Sequence, residues 1–376
     1  AKAQTNMFGD VSVYGRLVQV GNEYVALHPK KYSTHIACAL KSAAYKSKMQ
    51  EIKPPAKVLL WEEEKSISVE LVPTECFDSK IYSVRCLYPF HFKRLRELMS
   101  ITEEDYLLSL GNSDVWDAQG GKSGSFAKTK DDRFVLKELS HNGLNGSTEF
   151  NCFMAMAPAY FGYLENIYYR QVPTALTKIV GVYTIGVKGK TSKSHVVVME
   201  NIFYNRKISR VFDLKGSLRG RYVEATEDAD PSDTVVRLDQ NLLEIMFTNP
   251  FYLDMENKAL LGWTMCNDTA FLSTLNVMDY SLLVGVDEEK NELVIAIIDY
   301  IRMFTFDKKL EFYFKRLELK NKQKGPTVTP AKQYKQRFRD AIWHYFVMIP
   351  EKDCFLDCSQ LKKDKKQNIQ DEIRQT

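Results

Sequence analysis

The chain of 376 residues lacks any long, uninterrupted run of hydrophobic residues. Its longest apolar runs, such as 293–298, are far shorter than the roughly 20 residues that a helix needs to cross a bilayer. The first five residues also lack the apolar core of a secretory signal peptide. The sequence therefore predicts no integral membrane segment, and any membrane contact is expected to be peripheral.

Cysteine and histidine are too scattered to indicate a metal site. Most of the seven cysteines lie within apolar patterns, and the six histidines show no ligand spacing. Cys354 and Cys358 lie close together in the sequence but lack a second pair of ligands. Scattered thiols of this kind fit a reduced, cytosolic protein better than a disulfide framework.

Two aspartates, Asp279 and Asp299, are the strongest chemical signal in the sequence. The first lies in M-D-Y-S-L-L-V-G and the second in I-I-D-Y-I-R. Residues 281–286 and 292–298 between them read as strands joined by a polar turn, which predicts a hairpin. Because a hairpin returns the chain to its starting point, both carboxylates can line one cleft. Phosphoryl transfer needs one carboxylate beside the attacking hydroxyl and one that holds magnesium. The alternative interpretation is that Asp279 and Asp299 only shape turns and have no catalytic role.

A glycine-rich turn upstream is followed by a lysine on a predicted strand. The turn reads G-G-K-S-G-S at 120–125, and Lys137 follows in R-F-V-L-K-E-L. Backbone N–H groups of a glycine turn can approach a polyphosphate, and a lysine beneath it supplies a fixed positive charge. The spacing does not match a Walker motif, and no Rossmann strand–turn–helix follows, which disfavours a P-loop and a dinucleotide site.

The order of these motifs resembles a family of lipid kinases. The chain carries G-K-S-G-S, V-L-K, M-E-N, D-L-K-G-S, M-D-Y-S-L-L and I-I-D in that sequence. This order resembles that of the phosphatidylinositol phosphate kinases and, within them, the phosphatidylinositol 3-phosphate 5-kinases of the PIKfyve type. Some sequence segments resemble those of the plant members. The resemblance is strong from about residue 77 to residue 350.

The resemblance implies an α+β, two-lobed kinase-like fold with antiparallel sheets in each lobe, packed helices, and ATP between the lobes. It implies that Lys137 contacts the nucleotide phosphates with Glu149 as its ion-pair partner, and that Asp299 binds Mg²⁺. Asp279 would orient the inositol hydroxyl, and Asp213 is the third residue, with Lys137 and Asp279, expected to be catalytic. The other residues expected to bind ATP form the glycine turn and the hinge between the lobes: Gly121, Lys122, Ser123, Gly124, Ser125, Met199, Glu200 and Asn201.

The implied reaction is transfer of the ATP γ-phosphate to the 5-hydroxyl of phosphatidylinositol 3-phosphate, giving the 3,5-bisphosphate. Basic side chains of two segments are expected to bind this lipid: Lys215, Arg219, Arg221, Lys315 and Lys320.

The glycine turn is one residue shorter than is usual in the family, and residues 312–322 lack the glycine-rich run usual in the loop that selects the lipid. Phosphatidylinositol 4-phosphate as substrate, a soluble inositol phosphate as acceptor, and a catalytically inactive lipid-binding scaffold are the alternatives.

Positive charge is concentrated in one segment, although the net charge of the chain is only +4. Residues 302–339 contain twelve Lys or Arg against three acidic residues, with Phe304, Phe306 and Phe312 among them. Apolar side chains amid lysines are typical of an interfacial anchor, and no nucleic-acid-binding motif accompanies them. The charge pattern predicts peripheral binding to an anionic membrane, and the resemblance implies a cytoplasmic protein on endosomal or vacuolar membranes with a larger lipid-kinase complex as a further partner.

Length and a hydrophobic content of 44% predict a substantial core in two or three subdomains. Periodicity predicts helices over 151–166, 258–275 and 334–346, the last as a core element rather than a site. The predicted organisation has four parts: an N-terminal extension of unknown role (1–82), a kinase N-lobe (83–203), a C-lobe with the activation loop near 302–333 (204–350), and a charged tail (351–376).

Overall fold

The computed structural model describes residues 16–20, 23–27, 32–60, 66–71, 81–111, 126–139, 148–224, 235–302 and 331–349. The glycine turn at 120–125, residues 303–330 of the basic segment and the charged tail lie outside these ranges. None of the helices within them is both long enough and apolar enough to cross a membrane.

The described ranges form an α+β arrangement. The helices are α1 (Tyr32–Lys41), α2 (Ala43–Glu51), α3 (Pro89–Leu98), α4 (Glu103–Gly111), α5 (Glu149–Arg170), α6 (Asp239–Met246), α7 (Met255–Thr274) and α8 (Ala331–Tyr345). The strands are β1 (Arg16–Val20), β2 (Glu23–Leu27), β3 (Ser66–Leu71), β4 (Tyr82–Leu87), β5 (Phe126–Lys128), β6 (Phe134–Glu138), β7 (Ile179–Val187), β8 (Lys193–Glu200), β9 (Ile208–Leu214), β10 (Val236–Arg237), β11 (Phe251–Leu253), β12 (Ser281–Asp287), β13 (Glu292–Ile298) and β14 (Phe346–Met348).

A six-stranded antiparallel sheet carries the lysine of the candidate site. Its strand order is β3-β4-β7-β8-β6-β5. Helix α5 begins at an N-cap, Thr148, whose side chain accepts a hydrogen bond from the Asn151 backbone. The apolar residues of α5 recur every three or four positions, and Phe153 and Phe161 both pack against Phe92 of α3. This aromatic contact joins α3 to α5.

The predicted boundary between an N-terminal extension and the first lobe falls inside this sheet. Strand β3 belongs to the predicted extension, yet it pairs with β4 from Ser66 opposite Leu87 to Leu71 opposite Tyr82. Helix α1 also reaches the sheet, because the Tyr32 hydroxyl bonds the Ser194 hydroxyl of β8 at 2.8 Å. Residues 32–60 and 66–71 therefore contribute structure to the first lobe.

A four-stranded sheet contains the predicted hairpin. Its order is β10-β9-β12-β13, and β12 and β13 confirm the two predicted strands, the first being one residue longer than expected. Ser281 pairs with Ile298, which places Asp279 and Asp299 at the same open end of the hairpin. The pairing is antiparallel except that β10 runs parallel to β9; likewise β14 runs parallel to β11 in a separate pair.

The two sheets are tied together at strand β13. The Ile297 N–H donates to the Ala175 carbonyl at 2.6 Å, and its carbonyl accepts the Thr177 N–H at 3.0 Å. Asp268 of α7 fixes the same segment, accepting hydrogen bonds from the Ala175 N–H at 2.7 Å and the Thr174 hydroxyl at 2.8 Å. Burial raises the pKa of this carboxyl above its usual range. The segment before β7 is thus held by both the hairpin and α7.

Replacing Gly285 by alanine should destabilise the fold. A Cβ at this position of β12 would lie 3.0 Å from the Phe203 Cζ and closer still to its Cε1. Forcing an extra methyl group into a packed site typically costs about 1–3 kcal/mol. Urea unfolding followed by circular dichroism measures the loss. In a Phe203→Ala background the same change should cost much less, and an equal loss in both backgrounds would contradict this packing argument.

Candidate active site

Lys137 is a buried cation between two carboxylates. Strand β6 points its side chain away from solvent, and the residue is only 2% exposed. Its Nζ donates to Asp299 Oδ1 at 3.0 Å and lies 3.5 Å from Glu149 Oε1. A buried ammonium group is costly unless it is paired with opposite charge. The sheet, helix α5 and the end of the hairpin therefore meet at one charged side chain.

Glu149 is shared between Lys137 and a second cation, Arg302. It is the first residue of α5, where a negative charge is favoured by the helix dipole. The Arg302 Nε donates to Glu149 Oε1 at 2.9 Å, which is shorter than the distance from Lys137. Sequence reasoning identified the glutamate but not the arginine, which lies three residues after Asp299 in the I-I-D-Y-I-R motif.

Asp299 is held in its ionised form by its surroundings. Burial disfavours its charge, but Lys137, Lys215 and Arg302 outweigh that effect and keep the pKa of the Asp299 carboxyl below its usual range. Its side chain is 39% exposed, so the carboxylate is accessible. The next residue, Tyr300, is fully buried, and its hydroxyl donates to the Thr177 carbonyl. That bond anchors the backbone that presents Asp299.

Asp279 lies at the other side of the hairpin opening. Its backbone has a positive φ of 67°, and Asp299 has a φ of 59°. Aspartate adopts this left-handed conformation more readily than most residues. The Asp279 carbonyl accepts a hydrogen bond from the Lys215 Nζ at 2.7 Å, and the Tyr334 hydroxyl donates to the next carbonyl, that of Tyr280. The structure thus brings Lys215 to the backbone of the predicted catalytic aspartate.

The D-L-K-G-S segment extends from the end of β9 into a turn that Arg221 closes. The Arg221 Nη2 donates to Asp213 Oδ1 at 2.6 Å, and its Nε donates to Asp239 Oδ2 at 2.9 Å. Burial alone would lower the pKa of this guanidinium, but the two carboxylates raise it. Arg219, also predicted to bind substrate, is exposed in the same turn. Asp213, predicted to be catalytic, is therefore bound to a protein cation in this structure.

The predicted hinge residues are engaged with their own protein. The Glu200 N–H donates to the Lys178 carbonyl at 3.0 Å, and the Asn201 N–H donates to the Arg133 carbonyl at 2.9 Å. The Glu200 side chain accepts from the Lys178 N–H at 2.7 Å. Met199 lies in β8 opposite Val135. Any backbone bond from Glu200 or Asn201 to adenine would therefore have to use a carbonyl group.

Several predicted site residues cannot be placed. The glycine-turn residues and the two lysines of the basic segment lie outside the described residues: Gly121, Lys122, Ser123, Gly124, Ser125, Lys315 and Lys320. Their predicted roles stay predictions.

Asp239 is a functional candidate that sequence reasoning missed. It is the first residue of α6, and it is fully buried. An acidic residue in the first turn of a helix usually complements the helix dipole at the surface. Nothing in the sequence around Asp239 distinguishes it from such a surface residue.

The oxygen donors fit a magnesium ion that is bound together with a nucleotide. Asp299 offers an ionised and accessible carboxylate, and Mg²⁺ is typically held by one or two carboxylates plus substrate phosphates. Within the part of the chain that the structure describes, no group of three or more His, Cys, Asp or Glu side chains is arranged to hold a metal by itself. A metal at Asp299 would therefore depend on phosphate oxygens to complete its coordination.

Comparison with protein families shows to which family the chain belongs. The family model described as phosphatidylinositol-4-phosphate 5-kinase matches residues 112–294 and 288–345, more than half of the chain. The chain belongs to this phosphatidylinositol phosphate kinase family. It is a lipid kinase domain by family, which implies the use of ATP.

Curated relatives resemble the chain at moderate identity. It is 46% identical over 277 residues to the 1-phosphatidylinositol-3-phosphate 5-kinase FAB1A of Arabidopsis thaliana. It is 45% identical over 281 residues to the human 1-phosphatidylinositol 3-phosphate 5-kinase, and 42% over 280 residues to FAB1 of Saccharomyces cerevisiae. These alignments cover 72–73% of the chain but only 12–15% of the length of the three relatives.

Replacing Glu149 by glutamine should impair the use of ATP in this lipid kinase domain. The change keeps the side-chain shape but removes a carboxylate that holds both Lys137 and Arg302. We expect kcat/KM for ATP to fall about tenfold or more, because Lys137 is predicted to bind the ATP phosphates and must be held in place to do so. Steady-state kinetics with varied ATP measure this.

Glu165→Gln is the matched control, because Glu165 is a buried glutamate on the same helix without a described ion pair. Thermal unfolding should show both variants folded. Equal kinetics for the two would mean that the Glu149 charge is not required to position Lys137.

Proposed function

We propose that the chain is the kinase domain of a phosphatidylinositol 3-phosphate 5-kinase. It would transfer the γ-phosphate of ATP to the 5-hydroxyl of the lipid and give phosphatidylinositol 3,5-bisphosphate. The observation that carries this proposal is the meeting of Lys137, Asp299, Lys215 and the backbone of Asp279 at one end of the hairpin. The names of the relatives supply the choice of the 3-phosphate lipid.

The donor side of the reaction is assigned to the first lobe and Asp299. Lys137 supplies a buried positive charge for the phosphate oxygens of ATP, and Glu149 holds it in place. Magnesium bound at Asp299 would neutralise further phosphate charge when the nucleotide is present. In-line transfer depends mainly on positioning and charge stabilisation, and it needs no covalent intermediate.

The acceptor side is assigned to Asp279 and the turn at 213–221. The Asp279 carboxylate would orient the inositol hydroxyl and accept its proton. Lys215, whose Nζ donates to the Asp279 carbonyl, is close enough to place a lipid phosphate beside this aspartate. The Arg221 Nε and Nη2 are bound to carboxylates, so a contact with the lipid phosphate would have to use its Nη1. The two cations would thus hold the existing phosphate while Asp279 holds the reacting hydroxyl.

The same turn supports peripheral membrane binding. Leu218 and Tyr222 are 48% and 46% exposed, and they flank the exposed Arg219. Apolar side chains beside a cation suit the interface of an anionic membrane. We also propose, from the family resemblance, that the domain acts at the cytoplasmic surface of endosomal or vacuolar membranes as part of a larger lipid-kinase complex.

The lipid preference is testable by product analysis. The chain is incubated with ATP, magnesium and vesicles that contain either phosphatidylinositol 3-phosphate or phosphatidylinositol 4-phosphate, and the product is identified by chromatography. We expect the 3-phosphate to be converted to the 3,5-bisphosphate about tenfold faster than the 4-phosphate is converted. A preference for the 4-phosphate would refute the substrate assignment but not the kinase assignment.

Two further arms of this experiment test the broader proposal. Equal rates on a soluble inositol phosphate headgroup would refute the membrane acceptor. A complete lack of labelled lipid at every magnesium concentration would favour an inactive lipid-binding scaffold instead.

The roles of the two hairpin aspartates can be separated. Asp279→Asn should leave the Kd of magnesium–ATP nearly unchanged while kcat falls by roughly 10²–10⁴, because this carboxylate acts on the acceptor. Asp299→Asn should also weaken magnesium–ATP binding, since it removes the metal ligand. Calorimetry gives the Kd, and a radiolabel assay gives kcat.

Asp254→Asn is the matched control, because Asp254 is an exposed N-cap of α7 and asparagine also caps helices well. Equal losses of nucleotide affinity in the Asp279 and Asp299 variants would show that this division of roles is wrong.

A further inference from the structure

Asp239 is a buried carboxylate at the centre of the acceptor turn. It is 0% exposed, although an unpaired charge in such a place is strongly unfavourable. It lies on α6, outside the D-L-K-G-S segment and outside the hairpin, and it is not one of the residues that would contact ATP or the lipid in the proposed reaction.

Four donors converge on this carboxylate. The Gly216 N–H donates at 2.8 Å, and the Lys215 N–H lies 3.1 Å from both carboxylate oxygens. The Arg221 Nε donates at 2.9 Å, and the Tyr345 hydroxyl of α8 also donates at 2.9 Å. Such charge-assisted bonds are stronger than neutral ones, and several on one group fix its neighbours firmly.

The backbone bonds define the conformation of the turn. Gly216 has a φ of +63°, which glycine adopts without strain. A Cβ at Gly216 would lie 2.8 Å from the Ala341 Cβ and 3.2 Å from the Arg337 carbonyl, so the turn packs directly on α8. Asp239 binds the turn from the side of α6 while α8 supports it. Lys215 therefore begins from a fixed backbone position.

The side-chain bonds define the direction of the cations. From its fixed backbone, Lys215 reaches the Asp279 carbonyl. Arg221 is held between Asp239 and Asp213, so its guanidinium has a single orientation. Both cations that are assigned to the lipid phosphate are thus set by contacts with Asp239. None of the described contacts of Lys137, Glu149 or Asp299 involves this residue.

We propose that Asp239 is a positioning residue for the lipid acceptor. It holds the turn at 213–221 so that Lys215 and Arg221 present their charges beside Asp279, and it acts on lipid binding and turnover without acting on ATP binding. This inference rests on the proposed lipid kinase function.

The test uses Asp239→Asn in the full chain. Asparagine keeps the size of the side chain but loses the charge and one acceptor oxygen, so the turn should loosen. We expect kcat/KM for vesicles that contain phosphatidylinositol 3-phosphate to fall about tenfold or more, with the KM and Kd for magnesium–ATP changed by less than about threefold. Binding of the soluble headgroup inositol 1,3-bisphosphate, measured by calorimetry, should weaken in parallel.

Asp268→Asn is the matched control. Asp268 is also fully buried, and it also accepts hydrogen bonds from a tyrosine hydroxyl and a backbone N–H, but it lies in α7 away from the acceptor turn. If Asp239 had only a structural role, the two variants would lose stability and lower the lipid and ATP parameters in the same proportion. That result would overturn the inference.

If Asp239→Asn does not fold, Tyr345→Phe tests whether Asp239 positions the acceptor turn. It removes one donor to Asp239 and leaves the turn chemically intact, so we expect a selective loss of about two- to fivefold in kcat/KM for the lipid. Unchanged lipid kinetics in Tyr345→Phe, together with unfolded Asp239→Asn, would also overturn the inference. Wild-type protein that phosphorylates no phosphoinositide would instead defeat the proposed function, whereas an active wild type with equally active variants would defeat only this inference.

Discussion

The pairing of the Lys137 ammonium group with Glu149 and Asp299 is the interaction on which the site depends. The lysine comes from a sheet, the glutamate from the first turn of α5, and the aspartate from the end of the hairpin. Since a buried ammonium is strongly unfavourable without partners, the two carboxylates are needed to keep the Lys137 charge inside the fold. The Arg302 Nε also donates to Glu149 at 2.9 Å, so removal of this carboxylate would leave two cations without that partner.

A second constraint acts on the backbone at the opening of the hairpin. Asp279 and Asp299 both have positive φ, a conformation that costs free energy for residues other than glycine. The surrounding structure imposes this conformation: Ser281 pairs with Ile298, the Tyr280 carbonyl is bound by α8, and the Tyr300 ring is buried. The strain is therefore stored at the two aspartates that lie at the open end of the hairpin.

Much of this arrangement could be predicted from the sequence, because local patterns determine it. Alternation gave the two strands of the hairpin and hence the common location of its aspartates, and the pattern around residue 137 placed Lys137 on a strand. Asp239 could not be found in this way, since its donors are 18 to 106 residues distant and belong to two separate elements, the turn at 213–221 and α8. Arg302 was not predicted as a site residue for a similar reason, because its partner Glu149 is 153 residues away. Residues that act through long-range hydrogen bonds leave no periodicity in the sequence.

Helix α8 shows where a correct prediction of structure was still incomplete about function. The spacing of its aromatic residues predicted a core helix, and Tyr334 and Phe338 are indeed buried. The same face also carries the contacts that support the acceptor site. The Tyr334 hydroxyl binds the carbonyl beside Asp279, and one turn later the helix packs against Gly216. Tyr345 then binds Asp239. A hydrophobic period shows that a helix face is buried, but it does not show what lies above that face. Here it is the loop that carries Asp279 and the turn at 213–221, so the core and the candidate site share one surface.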